Sequence, residues 1–171
     1  MAKIIVVDED NKEVGTAEMS DAHKNGLIHR IVRIFLFNSK GELFLQQRSY
    51  KMSSSPGLWD QSAGGHVDEG ETNLEAAVRE SEEEIGLKNT ELEEAGTYYA
   101  ETDQSVSGQT LKRFNILYTA TSDSPLILDP YEVESGRWVK LEELDQLILE
   151  KPEDFTTGLV GALKFYDRNL Q

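Results

Sequence analysis

The sequence predicts an α/β (α+β) fold, a mixed β-sheet held between helical layers. Three observations predict it: short β-rich runs dominate the first third, a few helices with legible ends follow, and no regular βαβ alternation links them. The chain has 171 residues, 38% of them hydrophobic, enough for one packed core, so residues 1–171 are expected to form a single domain. Lys+Arg number 17 against 32 Asp+Glu, a net charge of −15. Such a balance argues against a nucleic-acid polymer or an anionic membrane as partner, since both require a basic surface. With no cysteine, disulfides, thiolate metal sites and cysteine nucleophiles are excluded. No apolar run approaches the roughly 18 residues of a membrane span. A cytoplasmic small-molecule protein is expected, with a homodimer left open.

In chain order, Ile4 to Val7 and Val14 to Ala17 flank the turn-like Asp8–Lys12, a first hairpin. Asp8 and Asp10 resemble the start of a calcium loop, but Lys12 and Glu13 occupy positions where an oxygen ligand and a glycine are required. Ile31–Phe37 and Glu42–Gln47 flank Asn38-Ser39-Lys40-Gly41, a second hairpin. Ser53–Gly57 is a loop. Thr72 followed three residues on by Glu75 is a capping box that starts a helix, and Gly86 ends it, with Leu87 free to pack back over the last turn. Thr110–Ala120 and Gly136–Val139 read as strands; Leu141–Leu149 and Leu159–Tyr166 read as amphipathic helices.

The acid is concentrated. Between Asp68 and Glu94 there are eleven acidic residues against Arg79 and Lys88. Advancing about 100° per residue from Glu80 places Leu74, Val78, Ser81 and Ile85 on one stripe, expected to face the core. Glu80, Glu83 and Glu84 fall on the other side, as one acidic patch. Carboxylates three and four residues apart repel by roughly 3 kcal/mol per pair where the effective dielectric is near 20. In a cleft, that cost is removed by a hard divalent cation, and carboxylate oxygens suit Mg²⁺ or Mn²⁺.

The residues Gly65, Glu71, Arg79-Glu80, Glu83-Glu84 and Gly86, at their spacing, resemble the Nudix box of the Nudix hydrolase superfamily, here residues 65–87. Ser81 stands where that family carries an aliphatic residue, a packing variation on the core stripe. The resemblance implies an α/β/α sandwich in which Glu80, Glu83 and Glu84, with the carbonyl of Gly65, hold Mg²⁺ or Mn²⁺. It implies an Arg79–Glu71 salt bridge that fixes the helix against its loop. The reaction it implies is hydrolysis of a phosphoanhydride bond in a nucleoside diphosphate derivative or related small-molecule diphosphate, with water activated by the metal. Glu83 and Glu132 are the candidate bases, with Glu134 next.

A longer stretch, His29-Arg30 through Gln46-Gln47-Arg48-Ser49, Lys51, Leu58-Trp59-Asp60 and Gly65-His66, is similar to the branch containing type I isopentenyl-diphosphate isomerase and its hydrolase-like bacterial relatives. In that branch the basic segment faces the diphosphate, so Arg48, Lys51 and His66 are candidate substrate contacts. His23, His29 and His66 lie near places where the isomerases bring histidines to a metal. The catalytic cysteine of the isomerases is replaced by Gly64, and their two glutamates by Leu111-Lys112-Arg113-Phe114. An isomerase-like enzyme is therefore the first alternative, and a non-catalytic nucleotide- or protein-binding Nudix module the second. Segments 98–108 and 125–135 are the expected readers of the groups attached to the diphosphate.

Overall fold

The computed structural model describes residues 3–104 and 108–170. Strands β1 (Lys3–Val7) and β2 (Glu13–Glu18) form the first hairpin. Its turn is closed by the Asp8 carboxylate, which accepts from the backbone N–H groups of Asp10 and Lys12, so this aspartate serves the turn. A short helix that sequence periodicity does not reveal, α1 (Met19–Lys24), follows, then β3 (His29–Phe37) and β4 (Leu43–Arg48).

The second expected hairpin differs from its prediction. Its turn forms, with Gly41 in the left-handed region at φ 75°, but β3 and β4 meet in register only at Phe37 and Leu43 and then diverge. Ser62 fills the opening: its N–H donates to Ile34 O, while its hydroxyl accepts from Leu36 N–H and donates to Phe44 O. The splayed strands take other partners. β3 pairs antiparallel with β6 (Ala63–His66) and parallel with β8 (Gln109–Thr121), whereas β4 pairs with β5 (Trp59–Asp60) and β9 (Val133–Val139). β7 (Glu93–Gln104) pairs with β8. The expected reading loop 98–108 is thus largely the end of a strand; its positions 105–107 lie outside the described residues.

Among the described residues the nine strands form one mixed sheet with helices on both faces. Ala76, Ala77 and Ile85 of α2 (Asn73–Ile85), with Leu87, pack on Val32, Ile34, Leu36 and Ile116. On the other face, Leu144 of α3 (Leu141–Glu150) and Leu159, Ala162 and Leu163 of α4 (Thr157–Leu170) cover Phe35, Leu43, Leu45 and Leu117. Each face buries alternate residues of β3, so that strand is mainly apolar, with His29, Arg30 and Arg33 as its polar exceptions.

Candidate active site

Helix α2 starts and stops where its sequence requires. Glu75 N–H donates to the Thr72 hydroxyl at 3.2 Å and Thr72 N–H donates back to the Glu75 carboxylate at 2.8 Å. Gly86 closes it at φ 65°, and Leu87 N–H reaches back to Ser81 O. Its rotation about its own axis, however, differs from the wheel. Leu74 and Val78 are 47% and 40% exposed, whereas Glu84 is only 5% exposed. Residues Ala76 and Ala77 are small enough to let the helix lie close on the sheet, and the buried face therefore centres on Ala77, Ser81 and Glu84. Ser81 is buried as expected, with its hydroxyl donating to Ala77 O at 2.7 Å.

The three glutamates consequently do not share one open patch. Glu83 lies at the rim, its side chain 55% exposed and 3.4 Å from Arg79. Glu80 is mostly covered and accepts from Arg79 at 2.6 Å. Glu84 points inward, where Gln46 of β4 donates to its carboxylate. Arg79 binds both oxygens of Glu71, at 2.7 and 2.9 Å, and also donates to His66 O, tying α2 to the loop before it. The Glu71 hydrogen bonds raise the Arg79 pKa further and lower that of Glu71.

Burial, opposed by Arg79 and reinforced by Glu83 and Glu132, pushes Glu80 up to about 7. Glu84 is raised well above the usual carboxylate range, by burial first and then by Glu80, Glu132 and Asp60, against the Gln46 hydrogen bond. Glu132 is raised by burial, then by Asp129 and Glu83. Asp129 N–H donates to Glu84 O at 2.9 Å and Glu132 N–H to Asp129 O at 3.2 Å, so the Glu132 loop is fastened to the end of α2, with Ser49 N–H donating to the Glu132 carbonyl, while Glu134 is exposed on β9. Arg48, half-buried, lies 3.5 Å from Asp60 and lowers the Glu132 pKa, so it too reaches this cleft. Lys51 sits 5.0 Å over the exposed Tyr131 ring and donates to Pro130 O, on the loop that carries Glu132.

Glu80, Glu83 and Glu84 offer the oxygen donors that a hard divalent cation prefers, although their ligand atoms do not all fall within 4.8 Å of one another. Carboxylates here are desolvated and repel one another, a cost that Mg²⁺ or Mn²⁺ would relieve. Gly65, in β6, leaves open the space that Glu80 uses: a Cβ there would land on the Glu80 carboxylate.

The ring of His66 turns away from this cleft. Its Nε2 lies 3.3 Å from Nε2 of His23, and His29 donates from Nδ1 to Leu27 O at 3.0 Å. Among the described residues, these histidines are the one group of three whose ligand atoms fall within 4.8 Å of one another. Burial lowers the pKa of all three, that of His29 to about 4. No carboxylate joins them in that group.

Gln46, Asp60 and Arg113 enter the sequence reading only through the comparison with the isomerase branch, with no role given, and Arg33 does not enter it at all; Gln46, Asp60 and Arg33 are buried in the fold. Arg33 carried a usable signal: it is a charge inside the apolar run Ile31-Val32-Arg33-Ile34-Phe35, which in a strand covered on both faces demands buried partners.

The NUDIX domain family matches residues 27–157, a span that includes the cleft. The chain belongs to the Nudix family. Its relatives include an isopentenyl-diphosphate Delta-isomerase of Serratia proteamaculans, 33% identical over 94% of this chain and 89% of that protein. A Nudix hydrolase of Pseudomonas aeruginosa is 35% identical over 94% of this chain and 90% of that protein. Among solved structures, DR0079 from Deinococcus radiodurans superposes with a TM-score of 0.79 at 26% identity, covering 99% of both chains. The NUDIX domain of Shewanella oneidensis NrtR, solved with ADP ribose, shares the fold, with a TM-score of 0.64 at 18% identity over 84% of this chain and 88% of that one. This Nudix protein is a hydrolase of that family, and no helix among its described residues is long and apolar enough to cross a membrane.

Proposed function

We propose that this Nudix hydrolase cleaves a phosphoanhydride bond in a nucleoside diphosphate derivative or related small-molecule diphosphate, using Mg²⁺ (or Mn²⁺), as a single-domain cytoplasmic enzyme. One observation carries the reading: Glu80 and Glu84 are held desolvated on one helix, Glu80 with Arg79 as its cationic partner and Glu84 with only the neutral Gln46, beside a glycine that leaves room for the Glu80 carboxylate. Glu80, Glu83, Glu84 and the Gly65 carbonyl are the residues that would hold the metal. When bound, the metal neutralises the diphosphate and polarises the attacking water. Arg79 keeps Glu80 and Glu83 in place from behind, and Arg48 and Lys51 flank the Glu132 loop, where they meet phosphate oxygens. Glu132, its proton affinity raised by burial, takes the proton as the water oxygen bonds to phosphorus and the bridging P–O bond breaks. Glu83, the other candidate, is at the rim and serves the metal more directly.

The experiment is turnover of dinucleotides, nucleotide sugars, nucleoside triphosphates and prenyl diphosphates with Mg²⁺ and with Mn²⁺, comparing the native chain with Glu84→Gln. Loss of turnover by orders of magnitude in a folded variant is expected; near-native turnover would remove Glu84 from the site.

The converging histidines favour a second reading, an isomerase-like enzyme, and isomerase-named relatives add weight to it. Against it, Gly64 stands at the position of the isomerase acid/base cysteine, and a Cβ there would lie 2.6 Å from Val32 O. Isopentenyl diphosphate incubated with the protein should release no isomer.

A further inference from the structure

Beyond the carboxylate cleft, the sheet face that carries the histidines holds two guanidinium groups, in a protein with a net charge of −15. Arg113 is the in-register neighbour of His29 across the parallel β3–β8 pair. Arg33, 5% exposed, donates to Asn115 and Gln61 at 2.8 Å each, and a Cβ on Gly158 would strike its guanidinium, so the start of α4 seals it in. Asn115 also donates to Arg113 O, coupling the two positions. All of these partners are neutral. Among the described residues no carboxylate lies within 4.0 Å of either arginine, and only the Thr102 hydroxyl accepts from the Arg113 side chain. Burial, with Arg33 second, pulls Arg113 down to about 10, and the charge of Arg113 in turn reaches all three histidines. A guanidinium has five N–H donors in a planar fork that matches an oxyanion, and a desolvated one without a counter-ion is costly until an anion arrives. Arg113 is only partly buried, so a ligand can reach it, and both arginines lie on the face of β3 and β8 that alternates with Val32, Ile34 and Ile116, the residues under α2, so they stand apart from the helix carboxylates.

We propose that Arg113, with Arg33 fixed behind it, forms a phosphate-binding pocket separate from the metal-holding carboxylates, and that it takes a phosphate group remote from the one being cleaved. The source of that group as part of the substrate rests on the hydrolase reading; the pocket itself does not. The test is calorimetric titration of the full chain with inorganic phosphate in excess EDTA, for the native protein, Arg113→Met, Arg113→Lys and Glu84→Gln. Native protein and Glu84→Gln should bind alike, with affinity falling as salt rises, while Arg113→Met loses roughly tenfold or more. Should Arg113→Met fail to fold, Arg113→Lys keeps the charge without the fork and should still bind several-fold more weakly. No binding by the native protein in EDTA, binding that requires a divalent cation, or native affinity in the arginine variants overturns the proposal. Because Glu84→Gln separates turnover from phosphate binding, failure of the hydrolase reading would leave a positive titration standing. Phosphate that raises KM without changing kcat identifies the group as the substrate's own; an effect on kcat alone identifies it as free phosphate.

Discussion

Replacing Glu80 by Gln should stabilise the metal-free protein at alkaline pH. The folded chain raises the Glu80 pKa from 4.5 to about 7, chiefly by burial. Each pH unit is worth about 1.4 kcal/mol, so keeping Glu80 ionised in the fold costs about 3 kcal/mol, an order-of-magnitude figure that already contains the help of Arg79. The side chain is only 12% exposed, so solvent screening removes little of it. As to sign, the raised folded pKa makes the native state bind the extra proton. The destabilisation is fully present above pH 7 and disappears as pH falls toward 4.5. Glu80→Gln lacks the charge and keeps an acceptor for Arg79, which retains Glu71 in any case. Urea unfolding in EDTA should therefore place the variant above the native protein by up to about 3 kcal/mol at pH 8, with the gap closing near pH 4.5. Adding Mg²⁺ should raise the native midpoint and leave the variant nearly unmoved, because only the native carboxylate set binds the ion. A variant less stable than native at pH 8 without metal would refute the desolvation argument. Equal stabilisation of both proteins by Mg²⁺ would remove Glu80 from the metal site.

Three further outcomes are expected. His29 is held neutral with its pKa lowered from 6.5 to about 4, so its contribution is complete above pH 6.5 and is lost as pH falls to 4, about 3 kcal/mol in all; urea midpoints in EDTA should show this slope, and His29→Gln should flatten it. Gly65→Ala would drive a Cβ into the Glu80 carboxylate, and titration calorimetry should find Mg²⁺ affinity weakened by roughly tenfold or more, with circular dichroism unchanged. Ser81→Val should be tolerated within about 1 kcal/mol in thermal unfolding, since a shallow opening beside Ser81, lined by Val78, Leu87 and Leu92 together with Glu82, Asn89 and Thr90, can accept the added methyl and the helix loses a hydroxyl that competes for Ala77 O; a severe loss of activity would give that hydroxyl a role in the site.

Much of this was legible in the residues. The Thr72–Glu75 box and Gly86 delimit α2 because capping and left-handed φ are settled within a few residues. The identities of Gly65, Glu71, Arg79, Glu80, Glu83 and Glu84 carry the family resemblance, and the first hairpin and the last two helices follow from local periodicity. The rotation of α2 was not legible. An apolar moment pointed Leu74 and Val78 inward, whereas contact with the sheet buried Ala77 and Glu84, because close approach of the helix required small residues and β4 offered Gln46 as a partner for the carboxylate. From the sequence alone Glu132 already ranks before Glu134 as candidate base; what the sequence does not contain is the turn at Asp129 and the Ser49 N–H that hold the Glu132 backbone in place.

By itself, then, the order of residues determined where the chain turns, caps and strands lie and which functional groups it carries, since those depend on neighbours a few positions away. Tertiary structure alone decided that β3 and β4 part company around Ser62, that His23, His29 and His66 come together, and that Arg33 and Arg113 share the face of the β3–β8 pair that carries His29. Burial and electric field are sums over atoms distant in sequence, and no local pattern of letters contains them.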